Sequence, residues 1–88
     1  MTTTTPALDQ RVLDATTGAL ELFGIYLGSR LGLYAALHQR PGSTMNDLAA
    51  AAGIAPRYAQ EWLEQQAVAG VLDVDDVTAD ANARRFHA

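Results

Sequence analysis

Cysteine is absent from this 88-residue sequence, so disulfides and thiolate metal sites are excluded at the outset. Lysine is absent too: six arginines stand against ten acidic residues, and the net charge of −4 would repel a polyanion rather than attract one. The two histidines, His38 and His87, are far apart and carry no metal-ligand spacing. No apolar run approaches the roughly 20 residues of a membrane span, and MTTTTP lacks the basic start and apolar stretch of a signal peptide. These absences predict a cytoplasmic protein without a metal, a membrane or, by charge, a nucleic-acid partner. A chain this short buries only about 60 to 65% of the surface its unfolded form exposes, so a second, partner-covered surface is expected.

What is present is organised around Ser43 to Leu72, two short helical patterns joined by a tight turn. Thr44 can accept from the backbone N–H near Asp47 while Asp47 reaches back, a capping box with Asp in place of Glu. Met45, Leu48, Ala49 and Ala52 follow on one face, and Gly53 stands where a left-handed residue ends a helix, with Ile54 after it. Pro56 suits a first helical position. From there Tyr58, Ala59, Trp62, Leu63, Gln66 and Ala67 form an inner face, with Trp62 as the core anchor, and Gly70 ends the helix.

Before this motif, residues 1–7 read as a disordered tail and Leu8 to about Ser29 as a long helix with two apolar stripes. Leu8, Val12, Ala15, Ala19, Leu22 and Tyr26 make one, and Leu13, Leu20, Phe23, Leu27 and Leu31 the other. A small core can receive only one of them. Gly24, Gly28 and Gly32 recur every fourth residue. They either let another backbone approach closely, or Gly28 and Gly32 mark a break before a short helix from Leu31 to Gln39 that carries Leu33, Tyr34, Ala36 and Leu37. After the motif, Val71, Leu72 and Val74 read as a strand, Asp75 to Asn82 as an acidic loop, and Arg84 to His87 as a return strand around Phe86. The fold class predicted for residues 8–88 is mainly α: a winged helix-turn-helix with helices near 8–29, 31–39, 44–52 and 56–69 and a hairpin over 71–87.

No catalytic or cofactor-binding residue emerges from the pattern. A dinucleotide-type cradle needs closely spaced glycines between a strand and a helix, whereas Gly18, Gly24, Gly28 and Gly32 lie in helical pattern with no strand before them. Asp73, Asp75, Asp76 and Asp80 gather in an expected solvated loop, and they lack the spacing of a calcium loop. The candidate functional residues are instead those of a dimer interface: Leu13, Leu20, Phe23, Gly24, Leu27 and Gly28.

Taken together, Arg30-Leu31-Gly32-Leu33-Tyr34, the Leu48-Ala49 to Gly53 turn, Arg57-Tyr58 with Glu61-Trp62-Leu63, and Phe86 resemble the N-terminal winged-helix region of a bacterial family of class I S-adenosylmethionine-dependent methyltransferases. The resemblance implies a domain that mediates homodimerisation and helps roof a substrate pocket; the alternative to the homodimer is that the domain following this region in the family covers the apolar stripe of the first helix. It also implies that the cofactor, S-adenosylmethionine, is bound by a Rossmann-like methyltransferase domain following this region, so no residue here is expected to bind cofactor or catalyse transfer. The alternative is a winged-helix DNA-binding transcriptional regulator, which would place the second helix of the motif in the major groove. Its outward residues Arg57, Gln60, Glu61 and Glu64 set one cation against two carboxylates, and four aspartates follow in the wing, which argues for few phosphate contacts.

Overall fold

The computed structural model describes residues 4–88, in the order α1 (Thr4–Arg30), α2 (Leu33–Gln39), α3 (Met45–Ala52), α4 (Pro56–Val68), β1 (Asp73–Val74) and β2 (Phe86–His87). α1 begins ahead of the expected Leu8, and residues 1–3 of the expected tail lie outside the described residues. The break after α1 falls at Gly32, whose φ of 70° is the left-handed region glycine tolerates. Gly28 remains helical, so it does not mark the break.

Both ends of α3 follow the sequence closely. Asp47 N–H donates to Thr44 Oγ1 at 3.2 Å and Thr44 N–H donates to Asp47 Oδ2 at 3.0 Å, closing the capping box. At the far end Gly53 adopts φ 69°, and the N–H groups of Gly53 and Ile54 converge on the Ala49 carbonyl. The Thr44 N–H, aided by the Arg40 guanidinium, holds the Asp47 carboxyl below its ordinary pKa. Its stabilising contribution is therefore present above the unfolded value of about 3.9 and is lost as pH falls through the lower folded value. In acid titration followed by circular dichroism, the stability difference between wild type and Asp47→Ala is expected to be full at neutral pH and to close below about pH 4.

α3 and α4 pack as the helix-turn-helix, with α2 behind α3 and α1 laid against α2 and α4. The core is Leu33, Leu37, Leu48, Ala49, Ala59, Trp62, Leu63, Leu72 and Phe86. Trp62 is thus buried together with Leu48, Leu63 and Leu72, as expected, and the Tyr34 ring meets it edge-on at a centroid distance of 5.1 Å. Tyr58 departs from the expected inner face: it is 69% exposed because it walls an open groove rather than lying under a covering element.

The wing is shorter than its hydrophobic pattern suggested. Val71 and Leu72 do not enter the ladder, because Gly70 turns the chain back (φ 80°) and both of their N–H groups donate to the Gln66 carbonyl, capping α4. Pairing is antiparallel and restricted to Asp73 with His87 and Val74 with Phe86. A single bridge from Ser43 completes the wing on the other side of Phe86, with Phe86 N–H donating to the Ser43 carbonyl at 2.9 Å. Phe86 is therefore held from both edges and is only 2% exposed.

Candidate interaction surface

α1 docks through the one line of its surface that has no side chains. A Cβ on Gly24 would lie 2.6 Å from Gln65 Oε1 and 2.8 Å from Gln66 Nε2, and one on Gly28 would lie 2.5 Å from Trp62 Cζ2 and overlap the Tyr34 ring. The indole Nε1–H of Trp62 donates to the Gly24 carbonyl at 2.8 Å, which fixes the height of α1 on α4. Behind it the Tyr34 hydroxyl donates to Gln66 Oε1 and Gln66 Nε2–H donates to Gln65 Oε1, so the fully buried Gln66 amide is satisfied at both ends. Burial raises the Tyr34 phenol above its ordinary pKa.

This arrangement corrects the candidate interface. Gly24 and Gly28 serve contacts within the chain, so they are not available to bring a partner's backbone close. It also changes which surface is left over. Counting about 100° per residue, the stripe of Leu8, Val12, Leu22 and Tyr26 points opposite the Gly24–Gly28 line, and that of Leu13, Leu20, Phe23 and Leu27 stands beside it. The core covers neither stripe, apart from a half-buried Leu27. Seven large apolar side chains of α1 are more than half exposed: Leu8 55%, Val12 58%, Leu13 59%, Leu20 62%, Leu22 67%, Phe23 58% and Tyr26 55%. Next to the second stripe runs an open groove of about 420 Å³, walled by Leu20, Phe23, Leu27, Leu31, Leu33, Ile54, Tyr58 and Trp62, with Glu61 and Gln65 among its polar members.

The face that would read DNA is built differently. Arg57 pairs with Glu61 at 3.2 Å in the open, and Arg84 is tied to Glu64 at 2.8 Å and to the Ala79 carbonyl at 3.0 Å. Arg85 donates to the Gly42 carbonyl at 3.0 Å and Arg40 faces Asp47 at 3.4 Å. The four wing aspartates are exposed. Asp76 accepts from both the N–H and the hydroxyl of Thr78, which lowers its pKa. His87 Nε2 lies 2.8 Å from Asp75 Oδ1 across the wing, a contact unreadable from sequence because it depends on the register of a two-residue ladder. Among the described residues no group of three His, Asp or Glu side chains could hold a metal, and no helix is long and apolar enough to cross a membrane.

No curated protein matches the chain. A family match does exist, over residues 18–88, to the family described as the Rv2258c-like winged HTH domain. The matched segment runs from the second half of α1 through β2, which is the unit seen here: a helix docked by its glycines, a helix-turn-helix around Trp62 and a short wing. The chain belongs to the Rv2258c-like winged HTH domain family.

Proposed function

We propose that this chain is the dimerisation and substrate-lid domain of an S-adenosylmethionine-dependent methyltransferase acting on a small molecule, and that it is not catalytic by itself. The observation that carries the reading is the uncovered apolar surface of α1 beside an apolar groove, on a winged helix whose wing arginines are tied to the chain's own carboxylate and carbonyl groups. An interaction surface of this kind suits a module that assembles copies and closes over a pocket. The partner is a second copy of the chain, and the cofactor belongs to the methyltransferase domain that the sequence resemblance implies.

The alternative reading, a DNA-binding regulator, draws on the winged-helix fold itself. Against it, Arg57, Arg84 and Arg85 have intramolecular partners and the wing is acidic, so a polyanion would have to displace existing contacts. Fluorescence anisotropy with duplex DNA at low salt gives phosphate contacts their best chance; little or no binding is expected. A salt-sensitive complex that weakens when Arg57, Arg84 and Arg85 are replaced together would establish the regulator reading instead.

Calorimetric titration of the chain with S-adenosylmethionine is expected to be flat, and saturable heat would reveal a cofactor site of its own. The methyltransferase assignment is tested by the coding sequence beyond Ala88. An in-frame strand–turn–helix with an acidic-x-Gly-x-Gly-x-Gly signature supports it, and a stop codon there overturns it.

A further inference from the structure

The dimer reading leaves open how two copies meet, and α1 carries a pattern that answers this. Its middle, Ala15 to Ala19, holds only Ala, Thr and Gly, and larger apolar residues stand on either side: Leu8, Val12 and Leu13 before it, Leu20, Phe23 and Leu27 after it. The structure makes the two sides unequal. The later half of α1 lies against α4 and walls the groove, whereas all side chains from Ala7 to Leu20 are exposed. At about 1.5 Å per residue, the first half is a helical arm about 20 Å long whose apolar residues nothing among the described residues covers.

We infer that two copies pair their α1 helices antiparallel about a two-fold axis near Thr16 to Leu20, so that each arm lies along the groove of the other copy. The occupant is a second copy because the geometry is self-complementary. In an antiparallel pair crossing near residue 18, Val12 and Leu13 of one copy come opposite Phe23 of the other, and Leu8 comes opposite Leu27. Thr16 and Ala19, the small residues that face the partner at the crossing, let the helices approach there, while the bulky ones fill the groove on both sides. A two-fold makes both contacts at once with one surface. The area is also right. Leu8, Val12, Leu13, Leu20 and Phe23 of α1, with Leu31 and Tyr58 of the groove, are each at least half exposed and offer on the order of 700 Å², above the roughly 300–600 Å² patch of an ordinary monomer and near the roughly 800 Å² each partner gives to a standard interface. The inference goes beyond the family match, which begins at residue 18 and so excludes most of the arm. It rests on the dimer proposed above.

Because the chain has no cysteine, single substitutions report pairing without background. Under mild oxidation, Thr16→Cys and Ala19→Cys are expected to form disulfide-linked dimers, since their symmetry mates lie beside the axis within the roughly 7 Å that a disulfide spans. Tyr26→Cys is expected to stay unlinked, because its mates would be about 24 Å apart along the helices. A mixture of Leu13→Cys and Phe23→Cys is expected to link far better than either alone. Sedimentation of the same samples before oxidation separates the two levels of the argument. A dimer that links through Tyr26→Cys but not through Ala19→Cys overturns the antiparallel crossing alone. A monomer throughout overturns the dimer as well.

Discussion

Trp62→Ala is expected to leave little folded protein, with the far-ultraviolet helical signal lost and no cooperative urea transition. Trp62 touches each layer of the fold: its ring is buried in the α4 core, meets Tyr34 of α2 edge-on, and donates to the Gly24 carbonyl of α1. Truncating a buried tryptophan costs on the order of 3 to 5 kcal/mol, and a domain this short sits toward the low end of the roughly 5 to 15 kcal/mol of native proteins, so the loss removes most of its stability. Trp62→Phe separates packing from the hydrogen bond. It keeps most of the ring and loses the indole donor, so a loss of about 1 kcal/mol with folding retained is expected.

The second large effect is predicted at the glycines of α1, where the same substitution should act in opposite directions. Gly18 has open space around it, so Gly18→Ala is expected to stabilise the exposed helix by up to about 1 kcal/mol. A methyl group on Gly28 would collide with the rings of Trp62 and Tyr34, which are held by the core, so Gly28→Ala is expected to destabilise by about 1 to 3 kcal/mol. Gly24→Ala should fall between them, because the atoms it meets include the movable end of Gln65. Urea denaturation of the three variants provides the order, and equal stabilities would contradict the docking of α1 along its glycine line.

The parts of this fold fixed by local chemistry were legible in the sequence. The Thr44–Asp47 capping box, the left-handed Gly53, the start of α4 at Pro56 and the burial of Trp62, Leu48, Leu63 and Leu72 each depend on a few neighbouring residues or on one helical period. What was not legible depends on tertiary placement. Val71 and Leu72 carry a strand pattern, yet their backbone donors are taken by the end of α4. Ser43 gives no strand signal, yet it pairs with Phe86 because the turn after α2 passes beside the wing. The orientation of α1 was the largest miss. Periodicity shows two apolar stripes and suggests that one packs inward, but the core takes the glycine line because Trp62, Tyr34 and the Gln66 amide leave no room for side chains there. The candidate interface thus keeps Leu13, Leu20, Phe23 and Leu27, loses Gly24 and Gly28, and gains Leu8 and Val12 of the outer stripe.

The exposed apolar face of α1 around Leu20 and Phe23 is the centre of the account, and sedimentation equilibrium tests it most directly. The wild-type chain is predicted to sediment as a dimer, and Leu20→Glu and Phe23→Glu, which place a carboxylate on the exposed stripe without touching the Trp62 core, are predicted to sediment as folded monomers. A wild-type chain that remains monomeric and well dispersed at high concentration would contradict it.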